Sequence, residues 1–200
     1  MKELQDYHLS QDPFENFSNW LKEAEKHPIE NFNAMTLASC DPKGAPDART
    51  VLYKGLQNNH LIFYTSYEGT KAVQLESNPL IAGVFYWHEL GKQIRFKGSV
   101  SKLSSKQNDA YFQSRATNSQ LAALISKQSS PISGQAELLK KFQEAQDLYK
   151  DKKIPTPQNW GGYAIAIHEF EFFLHSNNRL NDRFLFIKEL NSWNISRLQP

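Results

Sequence analysis

Residues 35–54, MTLASCDPKGAPDARTVLYK, decide the fold. Met35–Ser39 and Arg49–Lys54 are short strand-forming runs. Between them stands Asp41-Pro42-Lys43-Gly44, with proline and glycine where a tight turn wants them. Strands joined so closely pair antiparallel. Working outward, Leu61–Thr65 continues the strand texture after Gln57-Asn58-Asn59, and a short helix Thr70–Glu76 stops at Asn78-Pro79. Leu80–Tyr86 and Gln93–Lys102 are further strands. Helices follow at Ser104–Ser114, from Ser119, and at Gln135–Lys150, and Ile154-Pro155-Thr156-Pro157 is a stiff connector. Late strands are expected at Tyr163–His168, Phe170–Leu174, Arg183–Ile187 and Trp193–Leu198. On the other side, Asp12-Pro13-Phe14-Glu15 has the form of a capping box, and Phe14, Phe17, Trp20, Leu21 and Ala24 recur at helical spacing to about Lys26. Residues 1–11 read as a mobile arm. The pattern is mainly β with helices (α+β): about eight antiparallel strands in a closed or split barrel, in one domain over 1–200.

Composition narrows the function. The 200 residues carry 23 Lys+Arg against 21 Asp+Glu, a net charge of +2, which argues against a protein that coats polyanions by bulk charge. With 40% hydrophobic and 12% aromatic residues the chain is too apolar for disorder, and no apolar run approaches a bilayer span of roughly 20 residues. Neither nucleic acid nor membrane is an expected partner. Cys40 is the single cysteine and the N-terminus has no secretory apolar region, so a reducing cytoplasm is the expected compartment.

The phosphate-binding and nucleophile-elbow motifs of common enzymes are absent, and the six histidines show no metal-binding spacing, so no metal site is expected. A cofactor is then the natural carrier of any difficult chemistry. Five places hold candidate binding groups. Arg49 and Lys54 bracket Thr50-Val51-Leu52-Tyr53 and point to opposite sides of a strand, either as solvated ends or as contacts to two anions. Thr65-Ser66 and Thr70-Lys71 lie at a strand-to-helix transition, either a phosphate cradle or caps beside a surface lysine. Tyr111, Arg115 and Ser119 are spaced four apart. The reading breaks the helix near Arg115 and lets Ser119 cap the next, Gln120–Ile125, leaving ordinary capping or a phosphate receptor open. Gln128-Ser129 is a turn or a ligand loop. Arg179-Leu180-Asn181-Asp182-Arg183 is a charge-paired hairpin end or a guanidinium plane for a flat ligand.

Taken together, RTVLYK (49–54), FYTSYEGTKAVQLESNP (63–79), KQIRFKGSVSKLS (92–104), AYFQSRATNSQLAALISKQSSPI (110–132), PTPQNWGGY (155–163), RLNDRF (179–184) and WNISRLQP (193–200) resemble the pyridoxine/pyridoxamine 5′-phosphate oxidase family. The resemblance runs from about residue 32 to the end, with a weaker helical match from Asp12. It implies a homodimer of split β-barrels of the FMN-binding type, with two FMN at the subunit interface. It also implies oxidation of pyridoxine or pyridoxamine 5′-phosphate to pyridoxal 5′-phosphate. A hydride passes from the substrate's C4′ to flavin N5, and O2 accepts the electrons as hydrogen peroxide. By position it assigns Arg49, Lys71, Gln128 and Ser129 to the FMN phosphate and ribityl chain. Thr50, Val51, Leu52, Lys54, Tyr64 and Thr65 line the flavin, and Gln93 and Arg183 meet the isoalloxazine edge. Lys54, Tyr111, Arg115 and Ser119 fall on the substrate phosphate, and Arg179 on the substrate ring opposite the flavin, with Asn181 beside it as the second catalytic position.

Departures from the family pattern accompany the match. Thr70 stands where the family has Arg at the FMN phosphate, Phe173 where it has Trp, and Asn181 where it has His. Leu4 stands nearest the place of an Arg before Tyr7. These keep two other readings in view: a protein that binds FMN or pyridoxal phosphate with little turnover, and a flavin reductase or oxidase for another substrate.

Overall fold

The computed structural model describes residues 9–200. Nine strands form one antiparallel sheet: β1 (Ala34–Cys40), β2 (Pro46–Leu52), β3 (Leu56–Gln57), β4 (His60–Ser66), β5 (Leu80–Trp87), β6 (Lys92–Lys102), β7 (Trp160–Leu174), β8 (Asp182–Lys188) and β9 (Trp193–Leu198). Five α-helices accompany it: α1 (Pro13–Lys26), α2 (Thr70–Ser77), α3 (Ser105–Ser114), α4 (Thr117–Ile125) and α5 (Gln135–Leu148). The order β2-β1-β5-β6-β7-β4-β3 turns back on itself where the chain leaving β2 meets β4. Lys54 N–H donates to Ile62 O (2.8 Å) and Ile62 N–H to Gly55 O (3.0 Å), which closes the barrel.

Strand β7 is the spine. From Tyr163 to Leu174 one edge pairs with β6. On its other edge Trp160–Ala166 pairs with β4 and Glu169–Leu174 with β8, so the sheet splits there. The late strands expected separately at Tyr163–His168 and Phe170–Leu174 are one continuous strand. Glu169 read as a break, but β7 runs on through it: Lys97 faces Glu169 and Gly98 faces Ile167, so His168 is the extra, bulged residue of β7. The two-residue β3 is a strand that residue patterning passed over.

Alternation of burial follows from the pleat. Along β6, Lys92, Ile94, Phe96 and Gly98 are buried, while Arg95 and Lys97 face out. Helix α1 closes on the core by its apolar stripe: Phe17 meets Tyr53 and Phe85 edge-on, at 5.4 Å in each case, and Trp20 meets Phe172 at 5.2 Å. Only half of the expected capping box forms. The Asp12 carboxylate accepts from Phe14 N–H (2.9 Å), whereas Asp12 N–H goes to Ser10 Oγ (3.2 Å) and not to Glu15. This corrects part of the mobile-arm expectation, because Leu9 packs on the core and Ser10 exchanges two hydrogen bonds with Asn16, each 2.8 Å. The rest of that expectation, with Leu4 and Tyr7, lies outside the described residues. A second cluster, Phe112, Leu121, Ala145, Ile154 and Trp160, sits beneath α3, α4 and α5.

At the bulge Gly98 passes close to β7. A Cβ there would collide with the Ala166 carbonyl oxygen and crowd Ile165 Cγ2 at 3.1 Å. Because the obstacle is backbone, Gly98→Ala is expected to cost at least the ~1–3 kcal/mol of ordinary overpacking. Urea unfolding would read this as a lower midpoint at unchanged slope.

Candidate functional site

A cavity of about 530 Å³ opens where β2 and β4 meet α3, α4 and the loop after α4. Strand alternation presents Thr50 and Leu52, and Lys54 just beyond, to it, with Val51 also in the wall. Tyr64 and Thr65 come from β4 and Lys71 from the first turn of α2. Tyr111 comes from α3, Arg115 and Ala116 from the break, Ser119 from α4, Gln128 from the loop and Trp160 from the start of β7. Four separate stretches of candidate residues thus reach one cavity.

Lys71 is not a surface lysine. Its Nζ donates to Gln128 Oε1 (2.8 Å) and Thr65 Oγ1 (3.1 Å), and Thr65 Oγ1 donates to the same Gln128 oxygen (2.9 Å). Burial draws its pKa below the ordinary lysine value, Arg49 acts in the same direction, and Asp47 opposes both. Arg49 stands beside the cavity, outside its lining. Its guanidinium donates to Ser39 Oγ (2.6 Å), Gln74 Oε1 (3.2 Å) and Leu37 O (3.3 Å) and pairs with Asp47. Ser129, at φ 69°, offers its hydroxyl to the exposed Thr70 N–H (3.4 Å). The N-cap of α2 is Gly69, which has no side chain to occupy the helix start. Neutral acceptors around Lys71, an open helix start and two neighbouring cations suit a phosphate monoester such as that of FMN.

The second cationic group is built by the break between α3 and α4. Arg115 is extended (φ −76°, ψ 153°), and α4 starts at Thr117 because the Ala116 carbonyl already accepts from Ser119 and Gln120 N–H (2.9 and 3.1 Å). Ser119 is therefore in the first turn and not the cap of Gln120–Ile125, which leaves its hydroxyl beside Arg115 in the cavity wall. Arg115 has no carboxylate partner among the described residues, and its Nη1 is buried without a hydrogen bond. Burial lowers its pKa and Tyr111 opposes the shift, while burial raises that of Tyr111. Arg115 lines the cavity and its charge is matched by no acceptor at Nη1 and no carboxylate among the described residues, which makes it a place for an anion.

Gln93, Phe173 and Arg183 do not line this cavity. They form a row across β6, β7 and β8, paired in register on the outer face. Glu171, buried two residues along, takes Arg95 at 2.8 Å and the Arg183 Nε and Nη2 at 2.9 and 2.8 Å. Arg179 is exposed at φ 61° after Asn178 at φ 62°, and the Asn181 amide oxygen accepts from Ser176 N–H (3.1 Å). The expected charge-paired hairpin end takes another form: Asp182 pairs with Arg197 on β9 (two contacts of 2.6 Å), because Arg197 stands opposite Phe184 and its long side chain reaches the diagonal neighbour two residues along β8. Sequence reasoning missed Trp160 and Ala116 in the cavity, and Ser39, Asp47 and Gln74 around Arg49. A tryptophan directly before Gly161-Gly162 was the one available signal, since paired glycines permit close approach.

This architecture has counterparts among solved structures. An FMN-binding protein related to pyridoxamine 5′-phosphate oxidase, from Nostoc punctiforme, superposes with a TM-score of 0.78 at 18% identity, covering 96% of this chain and 100% of that one. PhzG from Burkholderia lata, solved with tetrahydrophenazine-1-carboxylic acid, superposes at 0.91 with 26% identity, covering 100% and 97%. The fold is therefore the split barrel of FMN-binding proteins. The family described as Pyridoxamine 5′-phosphate oxidase matches residues 21–149, and the Pyridoxine 5′-phosphate oxidase C-terminal dimerisation region matches 160–200. Pyridoxine/pyridoxamine 5′-phosphate oxidases of Rippkaea orientalis and Bacteroides thetaiotaomicron are 42% and 40% identical. They cover 96% and 98% of this chain and 91% and 93% of their own lengths. The chain belongs to the pyridoxine/pyridoxamine 5′-phosphate oxidase family, and it is an enzyme of that family. Among the described residues no helix is long and apolar enough to cross a membrane.

The lowered pKa of Lys71 has a measurable consequence. An anion beside it binds the protonated amine, so affinity holds below the pKa of the free site and falls above it by up to about tenfold per pH unit. Thermal stabilisation by inorganic phosphate is expected to start falling at a pH below the ordinary lysine value. Lys71→Arg should postpone that fall; the same fall in the variant would assign the proton to another group.

Proposed function

We propose that this protein oxidises pyridoxine or pyridoxamine 5′-phosphate to pyridoxal 5′-phosphate with FMN as cofactor and O2 as acceptor, in a homodimer. The carrying observation is the cavity itself. One wall holds a polar cradle around Lys71, and another holds Arg115 with an unpaired buried nitrogen beside Lys54, Tyr111 and Ser119. Two separate phosphate receptors in one cavity fit a phosphorylated cofactor and a phosphorylated substrate.

FMN, when bound, supplies the hydride acceptor and returns its electrons to O2. The chain's own groups bind and orient. Lys71, Arg49, Thr65, Gln128 and Ser129 hold the cofactor phosphate, with Thr70 at the same helix start. Thr50, Val51, Leu52 and Tyr64 form the wall along the flavin. Lys54, Arg115, Tyr111 and Ser119 fix the substrate by its phosphate, so that its reacting carbon is set by position and not by a protein nucleophile. Gln93, Phe173, Arg183, Arg179 and Asn181 lie away from the cavity in one chain. They belong to the face spanning β6 to β8, whose last part lies in the matched dimerisation region. A second copy would bring that face over the flavin, with Arg179 against the substrate ring and Asn181 beside it.

A second reading, a flavin oxidase for an unphosphorylated substrate, draws on the likeness to PhzG and on Asn181 in place of His. The Arg115 group favours a phosphate, because Lys54, Tyr111 and Ser119 line the cavity with that guanidinium and together offer more donors than a single carboxylate takes.

The direct test is purification, detection of bound flavin, and peroxide assay with pyridoxamine 5′-phosphate. Arg115→Ala is expected to raise KM roughly 10- to 150-fold, corresponding to the ~1.5–3 kcal/mol of a charge-assisted bond, at nearly unchanged flavin content. Equal loss of flavin would assign Arg115 to the cofactor. Thr70→Arg should tighten FMN, more so at low salt because the added contact is ionic. Unchanged or weaker flavin binding would separate Thr70 from the phosphate.

A further inference from the structure

We infer that Trp160 is a positioning residue for the phosphate receptor, acting through the face of its indole on Arg115. This deepens the proposed function and rests on it for the identity of the anion.

Arg115 is held differently from Lys71 in the cavity and from Arg49 beside it. Lys71 is held by a glutamine and a threonine, and Arg49 by Asp47, Ser39 and Gln74. Arg115 has neither a carboxylate partner among the described residues nor an acceptor for Nη1. Its backbone is extended between two helices, so local helical structure does not steer the side chain. What the guanidinium does meet is aromatic. It lies 4.8 Å from the Trp160 ring centroid and 5.9 Å from that of Phe112. The indole attracts the cation through its π face and accepts no hydrogen bond in the ring plane. The guanidinium therefore keeps its charge for an anion in the cavity. A carboxylate at the same place would hold the arginine but neutralise it.

Trp160 is itself fixed from elsewhere. It opens β7 in register with Ser66 on β4, is 7% exposed, and meets Phe112 edge-on at 5.3 Å. The same indole orders a second receptor group. Tyr111 lies parallel to it, with 4° between planes and centroids 6.2 Å apart, and Tyr64 stacks on both, at 3.7 Å from Tyr111 and 5.3 Å from Trp160. The Arg115 charge and the Tyr111 phenol thus reach the cavity from one aromatic shelf anchored in the sheet.

Coupling between Trp160 and Arg115 tests this. Binding of pyridoxamine 5′-phosphate to the FMN-loaded protein would be measured by calorimetry, and KM and kcat by peroxide release. Four proteins are compared: wild type, Trp160→Leu, Arg115→Ala and the double variant, with Trp160→Phe as the conservative control. Trp160→Leu is expected to weaken binding and raise KM about 3- to 30-fold, the range of a partly to fully desolvated cation–π contact, with the loss on KM more than on kcat. Trp160→Phe should recover part of it. In the Arg115→Ala background the Trp160 effect should disappear. A Trp160 effect of equal size in that background would overturn the inference, as would a loss of flavin content or kcat that matches the KM effect. Binding that couples in this way without any peroxide release would leave the inference standing and defeat the oxidase reading instead. If Trp160→Leu does not fold, Trp160→Phe and Trp160→Tyr against Arg115→Ala carry the same cycle.

Discussion

Strand β7 must satisfy the hydrogen-bonding groups of fifteen consecutive residues, and the rest of the structure depends on how it does so. One edge is met by β6 from Tyr163 onward. The other is met by β4 for the first half and β8 for the second. The first half closes a barrel with β4, and the mouth of the cavity forms where β4 meets the end of β2. The second half carries β8 and β9 away from that mouth and presents Gln93, Phe173 and Arg183 on an outer face. The separation between the cavity and this face within one chain is thus a consequence of how one strand is paired.

Cations on the two faces are treated differently. On the outer face Glu171 binds Arg95 and Arg183 together, and Lys97 pairs with Glu169 at 2.9 Å. Such pairs hold long side chains in place while cancelling their charge. Inside the cavity Lys71 is held by neutral oxygen acceptors and Arg115 by aromatic faces. Charge is preserved there, and burial draws both pKa values down. A group under that strain is relieved by an anion. Arg49 is intermediate, since Asp47 shares it with Ser39 and Gln74, so an incoming phosphate competes with a carboxylate at that position.

Among the described residues, the departures Thr70, Phe173 and Asn181 fall outside the Arg115 group. Thr70 is exposed at the helix start, Phe173 is on the outer row, and Asn181 is engaged with the Ser176 backbone. The Arg115 group draws all its residues from one chain. The described departures lie at the start of α2, on the row across β6 to β8 and in the turn before β8.

Short-range chemistry was legible in the residues alone. Asp12-Pro13 starting α1, the Asp41–Gly44 turn, the break at Arg115 and the alternation along β6 each follow from a few neighbouring side chains and backbone sterics. The grouping of candidate cations followed from the resemblance, because ordered motifs carry position. Other features needed the folded chain. Glu169 looked like an interruption, yet β7 continues through it by bulging out His168 opposite the Lys97–Gly98 step of β6. Ser119 looked like a cap until the Ala116 carbonyl took that place. Asp182 looked like the partner of its neighbouring arginines, but strand register gave it Arg197. Trp160 carried no role until it lay beneath Arg115. Local patterning determines which residues form a strand, a turn or a helix end. Which cation keeps its charge depends on partners from distant segments, and only closure of the barrel brings those together.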